Sequence, residues 1–154
     1  MYSLPKLKAD LNENQVAWLE TDLFGRIRET NSAFSDLCGW SFQEINGRKP
    51  KDFLRGPKSE SGQIELLSSY LWNRLPISTQ LTNYRKDGST YEVHMSIFPI
   101  LGKKEEDKHE GFFAVEFDVT GERDLSLENR KILFEAARIL LRREPTRNPF
   151  ETKT

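Results

Sequence analysis

Apolar and polar positions alternate along this chain in blocks that can be assigned one by one. Residues 1–14 are polar apart from a weak helical signal around Leu7 and Leu11, carry Pro5, and are expected to be an N-terminal flank. Residues 15–20 (QVAWLE) predict a strand of mixed burial, and Asp22-Leu-Phe-Gly25 supplies turn chemistry for an antiparallel return over 26–29. Asn31 can cap a short helix that presents Phe34, Leu37 and Cys38 and stops at Gly39. Ser41 and Glu44 form a capping box for a second short helix, ended near Gly47. Pro50, Gly56 and Pro57 leave room for only a turn of helix around Asp52–Leu54. A longer helix follows over about 60–72, with Ser59 as its cap and Ile64, Leu67 and Leu71 on one face.

The strongest β signal comes next. Residues 77–85 and 90–100 flank Lys86-Asp87-Gly88 and predict a hairpin. A charged loop, Gly102–Gly111, leads to a third strand, FFAVEFDVT. Residues 123–145 then hold an amphipathic helix ended by Pro145, with Leu125, Ile132, Ala136, Ile139 and Leu140 near one face; 146–154 are expected to be a disordered tail. This order predicts an α+β fold, an antiparallel sheet with helices gathered on one face.

Composition narrows the function classes. The chain has 154 residues, enough for one domain with a core of its own, and a net charge of −1, which offers no electrostatic reason for a nucleic-acid or anionic-membrane surface. One cysteine, Cys38, excludes an internal disulfide framework and a multi-cysteine zinc site. Two histidines, His94 and His109, make no metal-spacing motif, and both are expected to be solvated. No nucleophile elbow or phosphate loop is present, so no catalytic residue is assigned and the chain is not expected to be an enzyme. Trp18, Trp40 and Trp72 read as packing residues. No apolar run approaches a membrane span, and a reducing, cytoplasmic setting is the expected default.

Six segments occur in an order and spacing that resemble the PAS sensor family: TDLFGRIRETNSAF (21–34), GWSFQEINGRKPKDFL (39–54), GPKSE (56–60), NYRKDGSTYEV (83–93), SIFPI (96–100) and FDVT (117–120). The resemblance spans about residues 15–122. It implies a five-stranded antiparallel sheet with helices on one face, a ligand or partner bound by the domain, and relay through the C-terminal helix in signal transduction of the two-component kind. GPKS and NYRKDG look most like the branch that contains the flavin-binding blue-light sensors, the LOV domains. That branch uses a cysteine after a Gly-Arg pair, whereas Gly47-Arg48 is followed here by Lys49-Pro50-Lys51, and Cys38 lies on a different helix. Of the three flavin-contacting amides the resemblance implies, Asn83 is retained, while Val93 and Glu116 replace the others. No cofactor is therefore expected, flavin being disfavoured and haem more so because residues 60–72 hold no histidine; an unidentified small ligand remains open. A non-covalent flavin redox sensor is the alternative, and a small enzyme using the pocket a remote one.

On this register Leu81, Asn83, Tyr91, Val93, Met95, Phe112 and Glu116 face the helices and, with Phe53 and Ile64, line a ligand cavity. The same inner face also carries Ala114, and Leu54 and Leu67 join from the helices. Asn83 and Glu116 are its converging polar groups, with Arg55 or Lys51 as partners of the carboxyl. Alternation within FFAVEFDVT gives the opposite register, with Phe113, Val115 and Phe117 inside and Glu116 in water. The two readings are compatible only if the outer sheet face is also covered. Tyr84 and Phe98 fall on that outer face. With Phe113, Val115, Phe117 and the helix residues Ile132 and Ile139 they are expected to form a homodimer interface, with a signalling protein or an output domain as the further partner.

Overall fold

The computed structural model describes residues 3–100 and 110–141; the expected tail, most of the charged loop and His109 lie outside them. The elements in chain order are α1 (Leu4–Glu13), β1 (Ala17–Thr21), β2 (Ile27–Thr30), α2 (Ser32–Cys38), α3 (Phe42–Ile45), a single 3-10 turn (Pro50–Asp52), α4 (Ser61–Trp72), β3 (Ile77–Tyr84), β4 (Thr90–Ile100), β5 (Gly111–Asp118) and α5 (Leu127–Leu140). The five strands form one antiparallel sheet in the order β2-β1-β5-β4-β3. The chain thus runs two strands at one edge, crosses through the short helices and α4, and returns as a three-strand meander that places β5 in the centre.

Capping chemistry sets the helix starts. Asn31 Oδ1 accepts from Phe34 N at 3.0 Å and also from Trp18 N at 3.0 Å, while its Nδ2 donates to Val16 O at 2.7 Å. One amide therefore starts α2 and fixes it to β1. Gly39 ends α2 at φ 79, the left-handed conformation that favours glycine. Ser41 and Glu44 make the expected capping box. The start of α4 falls later than expected: Glu60 is its cap residue, and Ser59 instead donates to Thr82 O at 2.7 Å.

The expectation of helices on one face is corrected: both faces of the sheet are covered. α2, α3, the 3-10 turn and α4 pack on the inner face, around Phe34, Leu54, Leu81, Tyr91 and Val93. On the outer face, α1 and α5 cover Trp18, Phe98, Phe113, Val115, Phe117 and Val119. The N-terminal segment, expected to be a flank, is a helix because Pro5 is tolerated in a first helical turn and Leu7 and Leu11 fall on one side. Asn12 fastens it, accepting from Trp18 Nε1 at 2.9 Å and Asn31 Nδ2 at 3.1 Å. Trp18 stacks on Phe113 at 5.4 Å between ring centroids.

Double cover settles the register of β5. Phe112, Ala114 and Glu116 face inward, Phe113, Val115 and Phe117 outward, and all six are buried. The expected interface residues Phe98, Phe113, Val115 and Phe117 are thus hidden beneath helices of their own chain, with Ile132 and Ile139 of α5 packed on the same cluster. Tyr84 also leaves the expected patch. Its ring lies against Gly56, where an added Cβ would come within 2.5 Å of it, and its hydroxyl accepts from Lys58 N at 2.9 Å. Among the described residues no helix is long and apolar enough to cross a membrane.

Candidate functional site

Between the inner sheet face and α4 lies a cavity of about 420 Å³. That volume falls within the usual size of small-ligand sites. Its floor is Leu19 and Thr21 of β1, Met95 and Ile97 of β4, and Phe112, Ala114 and Glu116 of β5. Its roof is the apolar side of α4, with Ile64, Leu67 and Leu71. Lys49, Pro50 and Lys51 stand on one side, and Phe24 and Trp72, 74% and 88% exposed, belong to the same lining and mark its mouth. Trp72 is thus a rim residue and not the packing residue the sequence suggested; Trp18 and Trp40 do pack.

The sequence-predicted ligand residues divide into two layers. Met95, Phe112, Ile64 and Glu116 line the cavity. Leu81, Asn83, Tyr91, Val93 and Phe53 do not; they are buried around it, and their assignment as lining residues is corrected. Asn83 is withdrawn because Arg55 Nη1 donates to its Oδ1, and its Nδ2 donates to the Tyr91 hydroxyl at 3.4 Å. Phe53 is taken up by an edge contact with Trp40 at 5.7 Å and by the Arg48 guanidinium at 5.0 Å.

Glu116 is the site's chemical centre. Its side chain is buried at 3% exposure, and its Oε2 has no hydrogen-bond partner among the described residues. Burial pushes its carboxyl up to about 7, with Arg55 acting in the opposite direction. Arg55 itself is held below its ordinary value by burial and supported by the Glu116 charge. Of the two partners named for the carboxyl, Arg55 and Lys51, it is Arg55, after Phe53-Leu54 and ahead of the Gly56-Pro57 turn, that bonds Asn83 and whose charge acts on Glu116.

Neither the thiol nor the described histidine lines this cavity. Cys38 is fully buried on α2, absent from the lining, and burial pushes its thiol up to about 11, so it is no thiolate at neutral pH. Tyr91 is likewise held neutral, raised by burial and by the Glu116 charge. His94 faces the other side of the sheet, under α5, half-buried with its Nδ1 unpartnered, which corrects the expectation of a solvated histidine. Among the described residues no group of three or more His, Cys, Asp or Glu is disposed to hold a metal. Asp118 and Thr120 act locally: Thr120 donates to Asp118 Oδ1 at 2.6 Å and accepts from Glu92 N at 2.9 Å, fixing the exit from β5 towards α5.

Known proteins add to this picture. The chain is 28% identical over 71% of its length to the blue-light photoreceptor of Listeria monocytogenes, covering 42% of that protein. It is 33% identical over 66% of its length to blue-light-activated histidine kinase 1 of Erythrobacter litoralis, covering 26% of that one. The chain therefore spans less than half the length of these curated relatives. A light-oxygen-voltage domain studied with a flavin analogue superposes with a TM-score of 0.65 at 23% identity, over 84% of this chain and 92% of that one, which shows the fold. These relatives overturn the expectation of no cofactor. They are named for a response to blue light, which amino-acid side chains do not absorb, and the structural neighbour is described by its flavin. The missing cysteine and the two replaced amides were too narrow a ground for that expectation. A family model for the PAS domain matches residues 15–121, most of the chain and all five strands, and the chain belongs to the PAS domain family.

Proposed function

We propose that this chain is a sensory domain that acts by binding, that its cavity takes a planar heterocycle of the flavin class without a covalent bond, and that occupancy is relayed through α5. The observation that carries the reading is a buried carboxyl, Glu116, one oxygen of which has no partner, on the wall of an otherwise largely apolar cavity of about 420 Å³. An apolar chamber with few convergent polar groups is what a flat aromatic ligand requires. The residues present fit such a group. The apolar walls of β4, β5 and α4 suit its faces, Glu116 supplies a hydrogen bond at the deep end, and Lys49 and Lys51 offer positive charge to an acidic tail. A flavin would supply blue-light absorption and electron chemistry when bound. Pro50 stands on the cavity wall, and Cys38, protonated, does not line the cavity, so the reading is of a ligand held without a thiol adduct.

Relay through α5 is supported by the shared strands. β4 and β5 line the cavity with one face and carry Phe98, Val115 and Phe117, beneath α5, on the other. We place the homodimer contact on the exposed side of that helix. Leu127 and Phe134 are 71% and 66% exposed, and Leu141 follows seven residues after Phe134, as Phe134 follows Leu127. An antiparallel pairing about Phe134 would set Leu127 against Leu141 of a second copy, so the apolar positions are self-complementary.

Titration of the purified chain with riboflavin and flavin mononucleotide, followed by quenching of flavin fluorescence, tests the ligand reading. Saturable one-to-one binding is expected, with loss of affinity on filling the cavity by Ala114→Trp. No saturation by either flavin, or unchanged binding in a folded Ala114→Trp chain, overturns it. Light scattering on Phe134→Glu tests the dimer contact, which fails if the association state does not change.

A further inference from the structure

The groups that face Glu116 come from every element around the cavity. Arg55 follows the 3-10 turn, Tyr91 lies on β4, Cys38 on α2, and Lys49 and Lys51 at the side wall; α4 contributes only Ser68 as a polar lining residue. Among the described residues Arg55 is the cation whose charge acts on the carboxyl, and its Nη1 is already given to Asn83. Tyr91 and Cys38 are neutral, so neither offers a charge. The carboxyl therefore has one buried oxygen with no protein donor and a charge balanced by a guanidinium shared with an amide.

Such a group has two states of comparable free energy near neutral pH, and a ligand decides between them. Open, the cavity admits water past Phe24 and Trp72 to the edge of Glu116 that lines it. A neutral heterocycle that fills the cavity removes that water and supplies apolar surface, which disfavours the charge. The protonated carboxyl then has one O–H to give and needs an acceptor. Met95, Ile97, Phe112 and Ala114 provide none in their side chains, and the lining hydroxyls of Thr21 and Ser68 belong to β1 and α4, so an acceptor on the ligand is the partner placed to meet it.

We propose that ligand uptake is coupled to protonation of Glu116: the neutral carboxyl donates its hydrogen to a carbonyl or ring nitrogen at the deep edge of the bound heterocycle, and binding at neutral pH draws that proton from solvent. The inference rests on the reading of the cavity as a flavin-class site. It assigns the ligand's orientation, acceptor edge inward, and makes the sensor's occupancy depend on pH. The opposite case, an inward N–H or a cationic amine bonded to the carboxylate, would release a proton or leave the count unchanged, and the positive charge of Arg55 disfavours an amine there.

The probe is riboflavin, which has no phosphate to titrate in this range. Calorimetric titration at pH 7.5 in two buffers of different ionisation enthalpy counts the protons. With the carboxyl ionising at about 7, more than half a proton is expected to be taken up per ligand. Affinity is expected to fall roughly tenfold between pH 6 and pH 8, and this dependence to vanish in Glu116→Gln. Saturable binding with equal enthalpies in both buffers, or with proton release, overturns the coupling and leaves the ligand reading standing. Absence of saturable riboflavin binding overturns both. The two-buffer comparison uses the unmodified chain, so it decides the matter even if Glu116→Gln fails to fold.

Discussion

Replacing Glu116 by Gln in the ligand-free protein isolates the free energy stored in one buried carboxyl. In the unfolded chain this group ionises near 4.5, and in the folded chain at about 7 because it is buried. Between those values the native state binds the proton more tightly than the unfolded state, so stability falls as pH rises. The loss is complete once pH passes the folded value. A difference of that size corresponds to about 3 kcal/mol at 1.36 kcal/mol per pH unit, an upper figure for a group near a water-accessible cavity. Glutamine is nearly isosteric and does not titrate, so the variant lacks this slope.

Urea unfolding at pH 5, 6, 7 and 8 reads the effect directly. The stability of Glu116→Gln relative to the unmodified chain is expected to rise steadily with pH, by about 2–3 kcal/mol from pH 5 to pH 8. Taking the difference between the two chains removes every other titration they share, including that of His94, whose contribution has the opposite sign. Parallel stability profiles would show that Glu116 ionises at its ordinary value. The account of the cavity as a low-dielectric chamber with an unpaired carboxyl would then be wrong.

Three further outcomes follow from other parts of the molecule. Leu11→Ala is expected to cost about 2–4 kcal/mol in urea unfolding and to red-shift tryptophan fluorescence, because Leu11 is 2% exposed and seats α1 over Trp18 and Phe113; unchanged stability would mean α1 is not docked. Asn31→Ala removes the α2 cap and the side-chain links to β1 and α1 together, for an expected loss of about 2–3 kcal/mol, and Asn31→Asp should recover part of it through the retained acceptor. His94 is held below its ordinary 6.5 by burial and by the Arg130 charge, so the stability of its neutral form is present above that value and lost as pH falls below it; proteolysis at α5 should accelerate on acidification, and His94→Asn should abolish the acceleration.

The strands were legible because each carries its own period and turn. The Lys86-Asp87-Gly88 hairpin pairs Tyr84 with Thr90 and stays in register to Ile77 and Ile97, as the sequence implies. Alternation gave the opposite register on β5, where all seven residues from Gly111 to Phe117 are buried, and β1, expected to be of mixed burial, is likewise buried throughout. That ambiguity was itself informative, since a strand apolar on both faces requires cover on both. The cover was harder to see. α1 has only ten residues with Leu4, Leu7 and Leu11 on one side, too little for a strong periodic signal, and its docking depends on Asn12 meeting Trp18 and Asn31, which are distant in sequence. Of the strand residues expected in the cavity, Met95, Phe112, Ala114 and Glu116 line it, whereas Leu81, Asn83, Tyr91 and Val93 do not, and Leu19, Thr21 and Ile97 were not foreseen. Strand alternation turns Asn83 inward, but only the path of the chain after Phe53 shows that Arg55 occupies it.

The paired register explains how the two sides of the sheet are joined. Glu116 stands opposite Met95, and the next pair along, Val115 and Ser96, faces the outer helices. Neighbouring residues on a strand share the same peptide, so a backbone displacement that follows a new contact at Glu116 carries Val115 and Phe117 with it. The outer cluster is closely packed: Val115, Phe113 and Ala136 are each fully buried, and Ala136 is the small residue that lets α5 lie close to the sheet. A packed interface of that kind accommodates a shift by moving to another seat rather than by deforming smoothly. The helix has little else to hold it. Beyond Ala136 its sheet-facing residues are only partly buried, and its exposed side carries Leu127 and Phe134 to solvent. On the proposed relay, a hydrogen bond gained at the floor of the cavity is what biases the helix between its seats.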